Sequence, residues 1–276
     1  MANISPLAQI HPDATIGTGV TIGPFCFIDK NVHINDGTWI APNVTIFEGA
    51  NIGKNCRIFP GAVIAAIPQD LKFEDEDTRV VIGDRTTIRE CATIHRATKQ
   101  SWQTTVGSDC LLMAYTHIAH DCMIGNNVIL ANAVNLAGHV CIEDYAILEG
   151  MVAVQQFMRI GAHSFVAGGT LVRKNVPPFV KAAREPISYA GINKVGLERR
   201  GFAKETIQNL HDIYHLLFVK GYSLAKALEY IEKDLANTPE KEAILTFIVE
   251  KSPKGIIKRP PTTQNYDSDS NGSGQD

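Results

Sequence analysis

Residues 106–142 read VGSDCLLMAYTHIAHDCMIGNNVILANAVNLAGHVCI, and every sixth position is aliphatic: Val106, Leu112, Ile118, Ile124, Leu130, Leu136 and Ile142. The beat continues through Leu148, Val154, Ile160, Val166 and Val172. Upstream, isoleucine holds every sixth position from Ile4 to Ile64, and Ile82, Ile88 and Ile94 keep the same phase. Four residues after a slot the chain is small or β-branched, as at Ala14, Val20, Cys26, Val32 and Thr38, with Pro68 and Met158 as exceptions. A helix repeats every 3.6 residues and a plain strand every 2, so neither sustains a beat of six. The pattern predicts an all-β solenoid, a parallel β-helix of hexapeptide repeats. Three hexapeptides close each coil, and coils stack at roughly 4.8 Å. Aliphatic slots fill the prism and small slots sit at the corners. Gly17, Gly23, Gly53, Gly125 and Asn126 are expected at turns that need positive φ.

Two segments break the beat. Residues 68–79 and 98–104 put Asp70, Glu76 and Gln100 in the aliphatic phase. An unpaired polar side chain in a dry prism is costly, so both segments are expected to loop outward. After Pro177 and Pro178 the pattern becomes helical. Residues 203–220 and 223–236 read as amphipathic helices, and a third opens with Thr238 as N-cap and Pro239 in the first turn. Residues 1–186 are therefore expected to form the β-helix, 187–258 a small α-helical C-terminal domain, and 259–276 a disordered tail.

The balance of 26 Lys+Arg against 29 Asp+Glu gives a net charge of −3 and argues against a nucleic-acid binder. With no signal-like start and no long apolar run, no membrane span is expected, and a cytoplasmic location is. The six cysteines then argue against a disulfide framework. Cys26, Cys56, Cys110 and Cys122 occupy small slots and read as interior packing; Cys91 and Cys141 have no C-x-x-C partner.

His11, His33, His95, His117, His120, His139 and His163 all avoid the aliphatic slots, so they are expected to project outward or sit in turns. With three hexapeptides per coil, His120, Gly138 and Gln156 stack in one column. Asp121, His139 and Phe157 stack in the next, and Ala119, Ala137 and Gln155 in the one on the other side. His117 is three residues from His120. Imidazoles, a carboxylate and amides gathered on one wall have the composition of an active site. Two readings are open at this point. In one, Asp121 orients an imidazole general base. In the other, His117, His120 and His139 ligate zinc, as in the hexapeptide carbonic anhydrases of the gamma class. There two ligands lie five apart on one chain, against three here.

The motifs PQDLKF (68–73), IRECATIHR (88–96), HIAHD (117–121), LAGHV (136–140), QQF (155–157) and GINKVGLERRGF (191–202) resemble those of the acyl-carrier-protein-dependent UDP-N-acetylglucosamine O-acyltransferases of lipid A biosynthesis. The resemblance spans about residues 4–258. It implies a left-handed coil, a homotrimer with clefts between neighbouring prisms, and no cofactor or metal. The implied reaction moves a 3-hydroxyacyl group from acyl carrier protein to the glucosamine 3-hydroxyl of UDP-N-acetylglucosamine, with no covalent acyl-enzyme. By the same resemblance His120 is the general base, Asp121 its orienting group and Gly138 an oxyanion donor. Asp70 and Lys72 meet the sugar. His117, His139 and Gln156 line the cleft. Asn193, Arg199 and Arg200 meet the nucleotide, and Gly168 borders the acyl chain. Arg173, Lys174, Lys181 and Arg184 form a basic strip suited to an acidic carrier protein. Gln155 borders the same acyl groove and is expected to meet substrate, but it departs from the pattern, standing where relatives carry histidine, so no titrating role transfers to it.

Other classes fit less well. The related N-acyltransferases of the same pathway carry an extra N-terminal domain, whereas the beat here starts at Ile4. A non-catalytic scaffold or ice-binding prism needs a flat threonine array that the outward positions do not supply.

Overall fold

The computed structural model describes residues 2–250 and 254–259. Within them, short strands stack into three sheets of eleven, nine and eight strands, parallel except for the last strand of the first sheet, and these are the three walls of a prism. The architecture is the left-handed parallel β-helix, followed by a small helical part. The tail expected over 259–276 lies outside the described residues except for Arg259.

Register carries the logic of the site. Ile118 pairs with Leu136, Leu136 with Val154 and Val154 with Val172, each partner lying three hexapeptides further along the chain. Where the chain loops outward the interval changes. Ile58 pairs with Ile88 and Ile64 with Ile94, an interval of five hexapeptides. Ile88 pairs with Leu112 and Ile94 with Ile118, an interval of four. The first excursion therefore adds two whole hexapeptides and the second adds one, and the aliphatic phase survives both.

From Ile22 onward the slot residues are almost wholly buried. Each contributes about 1.5–3 kcal/mol of apolar transfer free energy. Ile4 is 41% exposed, its strand being the end strand of its sheet among the described residues. The small slots do more than fill space. The thiols of Cys26, Cys56, Cys110 and Cys122 donate to the carbonyls of Ala41, Gly83, Gly125 and Ala137 on the adjoining coil. Thr38 and Thr86 hydroxyls make the same bond to Gly53 and Gly107. Burial pushes the Cys110 thiol up to about 11 and that of Cys122 to about 12, so both are inert packing groups.

The glycine expectation needs correcting. Positive φ falls three residues after a slot and is carried largely by non-glycine side chains, among them Asn31, Asn43, Tyr115, Asp121, His139 and Phe157. Gly17, Gly23, Gly53, Gly125 and Asn126 are not in that conformation. Gly53 and its equivalents follow a slot directly, where backbone of the next coil presses in. A Cβ on Gly53 would come within 2.6 Å of the Gly83 carbonyl carbon.

The last parallel strand, Val180–Ala183, pairs antiparallel with Ser188–Ile192, and among the described residues four helices follow: α1 (Lys194–Arg199), α2 (Lys204–Phe218), α3 (Leu224–Asp234) and α4 (Pro239–Val249). The sequence reading missed α1, a single short turn capped by Asn193. Helix α2 buries Ile207, Leu210, Ile213, Tyr214 and Phe218 along one stripe. The Tyr214 hydroxyl donates to the Pro178 carbonyl at 2.6 Å, fixing α2 to the end of the coil. Ser223 and Thr238 cap α3 and α4 as their side-chain oxygens accept from Lys226 and Lys241 N–H. The buried Lys241 ammonium donates to the carbonyls of Glu232 and Leu235 at the end of α3. None of the described helices is long and apolar enough to cross a membrane.

Candidate active site

Strand His117–Ile118 points Ile118 into the prism and His117 out of it. The chain then turns the corner through Ala119, His120 and Asp121, with Asp121 at φ 61°. One coil on, Gly138 lies directly over the His120 ring. A Cβ built on Gly138 would sit 2.5 Å from His120 Cε1 and 2.7 Å from Nε2, so no larger residue fits without displacing the imidazole. His120, Gly138 and Gln156 line one cavity of about 620 Å³ with Asp70, Lys72 and His117. The column read from the three-hexapeptide repeat is thus a physical wall.

His120 sits in a turn, as expected of the coil histidines, yet both it and His95 are buried. His120 Nδ1 lies 2.7 Å from Asp121 Oδ2, and Asp121's side chain is 0% exposed. Burial pushes the Asp121 carboxyl up, but hydrogen bonds from Ser101, His120 and Thr98 outweigh it and hold the group below the ordinary carboxylate range. An anionic Asp121 assigns the neutral imidazole's proton to Nδ1 and leaves Nε2 as an acceptor. Nε2 lies 4.0 Å from Asp70 Oδ2, on the first outward loop.

The other imidazoles surround this pair. His139 meets the His120 ring edge-on at 5.1 Å and stacks on Phe157 at 4.6 Å. Burial lowers its basicity, and the charge of Asp121 partly restores it. His117 Nδ1 lies 2.7 Å from the Thr93 hydroxyl, and burial together with His120 pushes its pKa down. Its ring meets His95 edge-on at 4.9 Å. Burial, followed by the nearby His117 and His120, pushes His95 down to about 4. No role for His95 was read from the sequence. A signal was present: the second excursion is one hexapeptide long, which brings Ile94 beside Ile118.

Several candidates fall outside the cavity lining in the single chain, although His139 still packs against His120. Gln155, His139, Gly168, Asn193, Arg199 and Arg200 do not line the cavity. Gln155 is exposed beside it in sequence. Gly168 donates its N–H to Glu149 Oε2 at 3.0 Å, and a Cβ there would meet the Gly150 carbonyl at 3.2 Å. The Asn193 carboxamide accepts from Gly196 N–H and donates to the His163 carbonyl at 2.9 Å. Arg199 is exposed at the end of α1. Arg200 donates to the Tyr145 carbonyl at 2.9 Å, while its buried Nη1 has no partner among the described residues. Of the basic strip, Arg173 pairs with Glu185 at 3.2 Å and Lys174 donates to the Lys254 carbonyl at 2.8 Å. Lys181 sits over the Phe165 ring, and Arg184 is exposed.

The three-imidazole zinc reading is not the cluster that forms. Among the described residues, the His/Cys/Asp/Glu ligand atoms that converge within 4.8 Å are those of His120, Asp121 and His139, without His117. Both Asp121 oxygens are already taken by donors from Thr98, Ser101 and His120. That environment suits a proton-handling pair better than a cation.

A hexapeptide prism with a carboxylate-oriented imidazole and a bare glycine amide on its wall defines a hexapeptide-repeat acyltransferase. The family described as "Bacterial transferase hexapeptide (six repeats)" matches residues 103–138, and the one described as "Udp N-acetylglucosamine O-acyltransferase; Domain 2" matches residues 175–257. A curated protein of Aliivibrio salmonicida, named acyl-[acyl-carrier-protein]–UDP-N-acetylglucosamine O-acyltransferase, is 48% identical over 258 residues, 93% of this chain and 98% of that one. A crystal structure of a UDP-N-acetylglucosamine acyltransferase from Bacteroides fragilis superposes with a TM-score of 0.90 at 46% identity, covering 92% of this chain and 99% of that one. That of the Francisella novicida UDP-N-acetylglucosamine acyltransferase gives 0.89 at 43%, covering 94% and 95%. The chain belongs to the acyl-[acyl-carrier-protein]–UDP-N-acetylglucosamine O-acyltransferase family, and it is an enzyme.

Proposed function

We propose that this enzyme transfers a 3-hydroxyacyl group from acyl carrier protein to the glucosamine 3-hydroxyl of UDP-N-acetylglucosamine, the first step of lipid A biosynthesis, with His120 as general base. The observation that carries this reading is the short His120–Asp121 hydrogen bond in the wall of the cavity, with Nε2 left as an acceptor against Gly138. His120 Nε2 takes the sugar hydroxyl proton as that oxygen attacks the thioester carbonyl. The Gly138 N–H, which has no acceptor among the described residues, donates to the developing oxyanion. Collapse of the tetrahedral intermediate breaks the C–S bond, and the imidazolium returns the proton to the departing carrier thiolate.

Asp70, Lys72, His117 and Gln156 bind the sugar from the cavity wall, with His139 behind His120. Asn193, Arg199, Arg200 and Gly168 serve a cleft completed by a neighbouring prism in a homotrimer. A wholly exposed Leu71, on the same loop as Asp70 and Lys72, supports that second surface. Arg173, Lys174, Lys181 and Arg184 receive the acidic carrier protein. The reaction takes place in the cytoplasm, on the coil domain (residues 1–186), with the helical domain (187–258) docked at its end. Purified protein incubated with UDP-N-acetylglucosamine and a panel of 3-hydroxyacyl carrier proteins is expected to yield the 3-O-acyl nucleotide sugar. Exclusive acylation at nitrogen, or no transfer from any member of the panel, contradicts the proposal.

A further inference from the structure

The second outward loop turns its polar groups onto the Asp121 carboxylate. Thr98 donates its N–H to Oδ1 at 3.1 Å and its hydroxyl to Oδ2 at 2.9 Å. Ser101 donates both its N–H, at 3.3 Å, and its hydroxyl to Oδ1. The Thr104 hydroxyl accepts the Asp121 N–H at 2.9 Å. Gln100 N–H donates to the Thr98 oxygen at 3.2 Å, leaving the Thr98 proton free to serve Asp121. Thr98 and Thr104 are themselves buried. A buried carboxylate without such donors takes up a proton or turns away. Here both oxygens are occupied and the plane of the carboxylate is fixed.

We infer that Thr98 and Ser101 are positioning residues for acyl transfer, holding Asp121 as an oriented anion so that the His120 proton stays on Nδ1 and Nε2 stays bare. This inference rests on the general-base reading of His120. Each hydroxyl also withdraws charge from the carboxylate. Removing one returns that charge, and the His120–Asp121 pair then holds its proton to higher pH. The other titratable groups facing His120 are Asp70 on the first loop, Lys72 in the same cavity, and His95, His117 and His139. None of these bonds to the Thr98 or Ser101 hydroxyls, so their contributions stay constant across the variants.

The test measures kcat and KM for UDP-N-acetylglucosamine against pH in the full-length Thr98→Val, Ser101→Ala, Thr98→Ser and Ser101→Thr proteins. Thr98→Val keeps the side-chain shape and Ser101→Ala changes a partly exposed loop position, so each checks the other if one folds poorly. Thr98→Val and Ser101→Ala are expected to lower kcat about tenfold with KM changed less than about twofold. The acid limb of kcat/KM moves to higher pH, and the two hydroxyl-retaining variants recover both properties. In an Asp121→Asn background, the Thr98→Val and Ser101→Ala effects disappear. Wild-type kcat and an unmoved acid limb in folded Thr98→Val and Ser101→Ala overturn the inference while leaving His120 untouched. Substantial turnover by His120→Ala overturns the base reading instead.

Discussion

Asp121, His139 and Phe157 occupy the same corner position in successive coils, with φ of 61°, 60° and 66°. A regular backbone thus presents three chemically different side chains in one column. Their neighbours His120 and Gly138 are matched as closely. Replacing His120 by alanine is expected to reduce kcat by about 10²–10⁴ while the thermal melt stays that of wild type. Gly138→Ala drives a methyl group into the imidazole, 2.5 Å from Cε1. Circular dichroism of that variant should show an intact fold, and an assay at saturating substrate should show activity reduced at least about 100-fold. Wild-type turnover in Gly138→Ala removes the close approach from the mechanism. This column was legible in the sequence because the beat from Val106 to Val172 runs without interruption, so three hexapeptides always mean one coil. His95 went unread although the excursion adds one whole hexapeptide, because its nearness to His117 follows only once that whole-repeat length is counted into the stacking interval. Nor was the donor shell of Asp121, since hydrogen bonds from a loop leave no periodic trace.

At the scale of the strand and its coil, stability is repetitive and local. Each slot residue packs against the slots above and below it, so a cavity at one level is not repaired by another. Leu136→Ala, in the middle of the wall that carries the site, should lower unfolding free energy by about 2–5 kcal/mol in a denaturant titration. The glycines that follow slots test a different term. A Cβ on Gly107 would lie 2.4 Å from the Gly125 carbonyl oxygen, so Gly107→Ala is expected to destabilise the coil although its φ is ordinary. An unchanged melting temperature would show that the coils can separate locally. The beat of six made the prism readable from sequence, and the Thr238 cap made the start of the last helix readable. It misplaced the positive-φ turns, because in this coil the corner conformation accepts Asn, Asp, His, Tyr and Phe alike. Glycine is needed instead where backbones of adjacent coils touch.

For the whole molecule, imidazoles withdrawn from water contribute to the response to acid. Burial pushes both His95 and His163 down to about 4. His163 lies between the Tyr145 and Phe179 rings, at 4.7 and 5.5 Å. In the unfolded chain the same groups take up protons from about pH 6.5 downward. The unfolded state therefore binds more protons in that interval, and stability is full above about pH 6.5 and lost as pH falls towards 4. His163→Phe should flatten that loss by on the order of 1–2 kcal/mol, read from urea midpoints at pH 7 and pH 4.5. An identical pH slope in the variant contradicts the assignment. The most direct test of the catalytic reading is a single-turnover measurement of 3-O-acyl-UDP-N-acetylglucosamine formation, with enzyme in excess over 3-hydroxyacyl carrier protein. Wild-type protein should convert the bound donor fully, whereas folded His120→Ala should form less than about one hundredth of that product in the same time. Product formation by His120→Ala at the wild-type rate would contradict the central claim that this imidazole removes the sugar proton.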